Sequence, residues 1–304
     1  MNIRIGCVPL QWGAFSKAEP ESYTRERVLR EVREAGFEGL SSGPQGDKTP
    51  RQVVEYLQGL GLAPAPGYFG GDWWKAEEAG PAEERAADMA RFLKEMGVGE
   101  CFISAGGFGG FTSRASGQSS GKSRWELAGQ VQEADGLSQA EWKTLAQTVN
   151  RIGAAMMKSG VKACYHNHVG AVVETRAEME KLIELTDRDC VFLGPDTGHL
   201  AWGGADPVAF FRDYAPLIKS VHLKDASEEI RAQGVRQAWN YDQFSDAGLW
   251  RELGEGSIDF PSIFGILKAQ GFDGWALSET DVTQKSTPLE SARISRQYLQ
   301  SLGL

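Results

Sequence analysis

Residues 39–68 read GLSSGPQGDKTPRQVVEYLQGLGLAPAPGY, and the punctuation of this stretch decides the fold. Gly39–Ser42 is a short strand candidate, followed by a polar turn rich in Gly and Pro. Thr49-Pro50-Arg51-Gln52 has the form of a capping box, in which two side chains satisfy the first free N–H groups of a helix. Pro50 stands where a helix tolerates a missing N–H, so a helix is expected over Pro50–Leu60. Gly61 suits a left-handed stop, and Ala63–Tyr68 reads as the next strand. Strand, helix, strand is the unit that joins parallel neighbours, because parallel strands need a long crossover.

The same unit recurs along the chain. Further strands are expected at Ile3–Pro9, Glu100–Ser104, Lys162–His166, Val191–Pro195, Ile218–Leu223 and Trp275–Glu279. Further helices are expected at Glu21–Ala35, Pro81–Met96, Ser138–Ser159, Thr175–Leu185, Pro207–Tyr214, Phe260–Gln270 and Pro288–Leu302. Ser138 with Glu141, Thr175 with Glu178 and Thr287 with Glu290 repeat the capping box. Pro81, Pro207 and Pro288 repeat the helix start, and Gly36, Gly97 and Gly160 the helix stop. Eight strands alternating with helices predict an α/β fold, a single (β/α)8 TIM barrel spanning residues 1–304 as one domain. Two stretches interrupt the repeat. Residues 106–136 include FGGFTSRASGQSSGKSRW, and residues 226–256 carry Trp239, Tyr241, Phe244 and Trp250. Both follow strands and are expected as long loops over the C-terminal face, the aromatic one as an ordered cover.

Composition narrows the function classes. The 304 residues hold 32 Lys and Arg against 41 Asp and Glu, a net charge of −9. That argues against a nucleic-acid backbone as ligand, which needs clustered cations. No apolar run nears the roughly 20 residues that span a bilayer, and MNIRIGCVPLQW does not read as a signal peptide. The cytoplasm is the expected compartment. Cys7, Cys101, Cys164 and Cys190 form no CxxC pair and read as buried free thiols. Gly121-Lys122-Ser123 lacks the first Gly of a phosphate loop, with Ser116 in its place. There is no GxGxxG at a strand–helix turn, so no nucleotide cofactor is expected.

All four histidines fall within one barrel half. His166 and His168 end strand five, His199 follows strand six and His222 ends strand seven. Asp196 ends strand six, Glu279 ends strand eight, and Glu174 lies in the loop after strand five. Strand ends converge on one mouth, where crowded carboxylates need a counter-charge. A divalent cation supplies it. Carboxylate plus imidazole without thiolate suits Mn²⁺, Co²⁺, Zn²⁺ or Mg²⁺ and does not choose among them; Mn²⁺ or Co²⁺ is the expected ion. Taken singly, such an Asp is more often a helix cap and such a His a satisfied core residue; it is their joint placement that points to a site.

HNHVGAVVET (166–175), LGPDTGHLAWGGADP (193–207), SVHLKDA (220–226), GEGSIDF (254–260) and GWALSETD (274–281), in this order, resemble the xylose-isomerase-like TIM barrel superfamily. DTGHLAWGGADP, HLKD and the opening IGCVPLQWG resemble its inosose dehydratase branch most. The resemblance implies metal ligands at Asp196, His222 and Glu279. It also implies a fourth ligand, a Glu ending strand five, where this chain has His166. Either His166 replaces that Glu, or Glu174 reaches back from the loop. Ser41 stands where the branch tends to carry a Glu near strand two.

A cation at a barrel mouth polarises a ketone and makes the adjacent C–H acidic. A base then gives an enediolate, from which dehydration, isomerisation or epimerisation can follow. The expected reaction is dehydration of an inosose-like polyhydroxy ketone; a sugar isomerase or epimerase is the alternative, and a non-catalytic sugar-binding barrel a distant one. A DNA-repair endonuclease of the same superfamily would need more metal ligands and a cationic groove. Glu174 and Glu279 are candidate ligands or bases. His168 is a candidate proton shuttle near neutral pH, and His199 a candidate contact to a substrate hydroxyl. Lys224 is placed as an oxyanion contact or as a partner of Asp225. Trp12 and Tyr68 are candidate walls for a small polyol or sugar. Self-association is left open.

Overall fold

The structure is a computed structural model and describes residues 2–13, 23–106, 112–115 and 118–304. In chain order it runs β1 (Asn2–Val8), α1 (Arg25–Glu34), β2 (Gly39–Ser41), α2 (Pro50–Gly59), β3 (Ala63–Ala65), β4 (Gly67–Gly71), α3 (Ala79–Glu95) and β5 (Glu100–Ala105). A hairpin, β6 (Thr112–Ala115) and β7 (Gln118–Ser123), precedes α4 (Gln139–Lys158), β8 (Lys162–Tyr165), α5 (Arg176–Leu185) and β9 (Val191–Leu193). Then come α6 (Thr197–Trp202), α7 (Pro207–Tyr214), β10 (Ser220–Leu223), β11 (Asp225–Ala226), α8 (Glu228–Gln237), α9 (Tyr241–Asp246) and β12 (Trp250–Arg251). The chain ends with α10 (Phe260–Ala269), β13 (Asp273–Glu279) and α11 (Pro288–Ser301).

Two parallel arcs make the barrel, β10-β13-β1-β2-β3 and β4-β5-β8-β9. They meet at bridges Leu193–Ile218 and Asp196–His222 on one side. On the other side a single stretch of chain serves both arcs. The strand expected at Ala63–Tyr68 is divided at Pro66, which has no N–H to give to a ladder. Before it the chain pairs with β2, and after it with β5.

The helix starts follow the side-chain signals. Thr49, Ser138 and Thr175 each close a full capping box. Thr287 caps the Glu290 amide, but the Glu290 carboxylate accepts from Ser286 instead, so that box is not closed on itself. Pro81 is the third residue of α3, not the first. Thr24 caps α1, which begins at Arg25; Glu21 and Ser22 of the expected helix lie outside the described residues. Gly36, Gly61, Gly97 and Gly160 all adopt positive φ, between 73° and 97°. All four cysteines are buried free thiols. Gly121, Lys122 and Ser123 end the hairpin strand β7, and Ser116 lies outside the described residues.

Inside the barrel, Ala65, Phe102, Trp275 and Leu277 pack together. A separate aromatic cluster lies past the C-terminal strand ends, with Trp202, Tyr241, Phe244, Leu249 and Trp250 buried and Trp125 and Trp239 against them. No helix among the described residues is long and apolar enough to cross a membrane.

Gly39 shows how full the interior is. A Cβ there would come within 2.1 Å of the Trp275 ring. Gly39→Ala is therefore expected to cost about 1–3 kcal/mol through overpacking, read as a lower denaturation midpoint. An unchanged midpoint would mean that the interior is looser than this packing.

Candidate active site

Parallel strands deliver their C-terminal residues to one rim. His166 directly follows β8, Asp196 lies beyond β9, His222 sits in β10 and Glu279 closes β13. One ligand atom from each of His166, Asp196 and His222 falls within 4.8 Å of the others, and all three residues are buried. Glu279 stands at the edge of this trio, its Oε2 2.8 Å from His222 Nδ1.

Asp196 divides its two oxygens. Oδ1 accepts from the His199 amide at 2.8 Å and caps α6, while Oδ2 is buried without a hydrogen bond. The helix-cap reading and the ligand reading are thus both met by one residue. His166 Nδ1 and both nitrogens of His222 are likewise buried without an aligned hydrogen bond. Buried polar atoms are seldom left so, because each forfeits hydration. A cation is the partner this donor set fits. Burial, with His222 and His168 adding to it, holds His166 well below the ordinary histidine range, so its ring is neutral and able to donate a lone pair. Phe102 of β5 backs the trio, 4.0 Å from the His222 ring. Asn167 pins the backbone of Asp196, accepting from its N–H at 3.0 Å.

Lys224 was expected as a substrate contact or as a partner of Asp225. It is wholly buried, with Nζ 2.6 Å from Glu279 Oε1, 2.7 Å from Asp281 Oδ1 and 3.6 Å from Asp196 Oδ2. Burial pushes its pKa down, but Asp281, Glu279 and Asp196 together raise it above the lysine range. It stays an ammonium, which rules out a nucleophilic amine. Burial alone would raise Glu279, but Lys224 and His222 hold it well below the usual carboxylate range. Asp225 turns away and accepts from the amides of Ala226, Gly254, Gly256 and Ile258.

Other expected site residues are placed differently. Glu174 is not brought to the trio: its oxygens accept from the amides of Gly129 and Gly170, each at 2.8 Å. Burial pushes its pKa up to about 8, against the pull of Arg124. His168 holds its Nδ1 on the Val169 carbonyl at 2.6 Å, and burial carries its pKa down to about 3, so it does not change charge near neutral pH. His199 is enclosed, with Nδ1 accepting from the Val169 amide and Nε2 3.2 Å from Lys224 Nζ. Its reach is taken by protein groups, not offered to a substrate hydroxyl. Trp12 packs in the main core and donates to Glu31 of α1, so its contacts run to the helix layer. Tyr68 does stand beside the trio, 5.6 Å edge-on from His166 and 47 % exposed. Ser41 donates to the Pro66 carbonyl at 2.9 Å and serves the strand break.

Asp281, Phe102 and Asn167 were missed from the sequence. Asp281 had a signal, standing two residues past Glu279 on the same rim. Phe102 had only its place in a strand.

A model described as "Xylose isomerase-like TIM barrel" matches residues 29–302. The chain is 31% identical to a protein named inosose dehydratase from Clostridium tetani (strain Massachusetts / E88), over 98% of this chain and 97% of that one. It is 30% identical to another of that name from Clostridium perfringens (strain ATCC 13124), with the same two coverages. Among solved structures it resembles an L-ribulose 3-epimerase, with TM-score 0.67, 21% identity and coverage of 99% and 94%. It also resembles the IOLI protein solved with a zinc atom, with TM-score 0.66, 15% identity and coverage of 99% and 98%.

Two substitutions separate the rival fourth ligands. His166→Ala is expected to lower retention of added Mn²⁺ or Zn²⁺, measured by metal analysis after desalting. Glu174→Gln should retain the metal but lose about 1–3 kcal/mol of stability, because one amide loses its acceptor. The opposite pattern would restore Glu174 as the ligand.

Proposed function

The chain belongs to the xylose isomerase-like TIM barrel family and is an enzyme of the lyase or sugar isomerase and epimerase kind, and from that premise we propose that it dehydrates an inosose-like polyhydroxy ketone with the help of a divalent cation. The observation that carries this reading is the convergence of buried ligand atoms on His166, Asp196 and His222, none with an aligned hydrogen bond, beside the ionised Glu279. Near full-length likeness to proteins named inosose dehydratase supports the choice of reaction.

His166, Asp196 and His222 would hold the cation, a set of imidazole and carboxylate compatible with Mn²⁺, Co²⁺, Zn²⁺ or Mg²⁺. When bound, it supplies a Lewis acid for the substrate's carbonyl oxygen. Glu279 acts as base. Its Oε2 takes the proton from the carbon beside the carbonyl, and the C–H pair becomes the enolate. Lys224 keeps Glu279 ionised before that step and anchors Oε1, which leaves Oε2, 2.8 Å from His222 Nδ1, as the oxygen that takes the proton. Loss of the hydroxyl on the next carbon re-forms the ketone and breaks that C–O bond. The same carboxyl returns its proton to the departing oxygen, so that water leaves and the charge balances. Tyr68, exposed beside His166, offers an aromatic face to the polyol's C–H groups.

The test is incubation of 2-keto-myo-inositol with the Mn²⁺- or Co²⁺-loaded enzyme, followed by NMR in D₂O. Loss of water is expected, and prior removal of the metal with a chelator should abolish it. Glu279→Gln should slow turnover by about 10²–10⁴-fold with an unchanged circular dichroism spectrum. Full activity in that variant would remove Glu279 from the role. Deuterium uptake without loss of water would move the reading to an epimerase or isomerase.

A further inference from the structure

Asp281 has no part in the steps above. Its carboxylate is buried in the loop just past β13. Oδ1 holds the Lys224 ammonium at 2.7 Å, and Oδ2 accepts from the Tyr241 hydroxyl at 3.3 Å. The ammonium is therefore fixed between three carboxylates, those of Asp196, Glu279 and Asp281. Two of these, Asp196 and Glu279, border the place where the ligand atoms of the trio converge. A fixed positive charge at that distance repels any second cation, and it does so more strongly away from water.

The charges nevertheless balance. With all three carboxylates ionised, they and the one ammonium leave two negative charges, which one divalent cation offsets. Without the charge of Asp281, Lys224 would draw on Asp196 and Glu279 alone, and only one negative charge would remain for the cation. We propose that Asp281 is a positioning residue that holds Lys224 and offsets its charge, so that Asp196 and Glu279 keep their pull on a divalent cation. This rests on the cation-dependent reading above, and it assigns to a residue outside the ligand set the control of cation affinity.

The experiment measures Mn²⁺ affinity of the full chain by electron paramagnetic resonance, with thermal melts on every variant. Asp281→Asn is expected to weaken Mn²⁺ binding by about tenfold or more, because the unbalanced ammonium now opposes the metal. The double variant Asp281→Asn with Lys224→Met removes both charges and should return to within about threefold of wild type. A merely structural role for Asp281 would not be repaired by removing its partner. Wild-type affinity in Asp281→Asn, or a double variant as weak as the single one, overturns the proposal. If Asp281→Asn does not fold, the double variant decides alone: folded but about tenfold weaker than wild type, it overturns the proposal. A wild-type chain that binds no Mn²⁺ takes down the cation reading and this inference together; a wild type that binds, with indifferent variants, takes down this inference only.

Discussion

A parallel ring sends the C-terminal end of every strand to the same rim, and everything at this site follows from that constraint. Four neighbouring strand ends bring two imidazoles and two carboxylates together although they are far apart in sequence. Such a gathering costs free energy. Burial strips water from each group, and the carboxylates repel one another. Lys224 offsets part of that cost, since β10 places it two residues past His222 and the chain turns its ammonium inward onto Glu279 and Asp281. What stays unoffset is specific: Asp196 Oδ2, His166 Nδ1 and His222 Nε2 are buried without hydrogen bonds, and His222 Nδ1 has only the Glu279 carboxylate at 2.8 Å. The same geometry that closes the barrel leaves a set of lone pairs converging on one point.

Much of this was legible from residues 39–68 and their repeats, because Gly stops, Thr and Ser caps and Pro starts act over a few residues and depend little on packing. Each barrel strand and each outer helix lies where that punctuation put it, within a few residues. Where tertiary pairing decides, the sequence was less informative. Ala63–Tyr68 reads as one strand, yet Pro66 hands the chain from one neighbour to the next. Helices α6, α8 and α9 went unread, because α8 buries only Gly234 and α6 and α9 are six residues long each. None has a helical stripe long enough to see.

The site was legible in its strand-end members and not in its loop members. His222 and Glu279 sit on strand ends and Asp196 is bridged to His222 just past one, so register locates them. Glu174 sits on a loop, and only the folded chain shows that it turns to the amides of Gly129 and Gly170. The same holds for Lys224, whose long side chain could reach Asp225 or cross to the next strand. Asp225 is drawn off by four backbone amides, which leaves Lys224 to Asp281 and Glu279.

The segments after β5 and β10 meet over the mouth, and their union helps to bury so charged a cluster. Trp125 stacks on Tyr241 at 3.8 Å, and the Tyr241 amide donates to the Trp125 carbonyl at 3.0 Å. The Trp125 indole donates to Asp242, and Gln130 to the Trp239 carbonyl. Tyr241 then reaches down to Asp281, and Glu174 holds the Gly129 amide from below. Excluding water strengthens every charge contact beneath it. It also means that the contacts of Lys224 are only as strong as this roof is closed, since water admitted above Asp281 would screen the ammonium from Glu279. The roof and the charge cluster are therefore one system, joined through the two oxygens of Asp281: one held by the roof, the other holding the Lys224 ammonium.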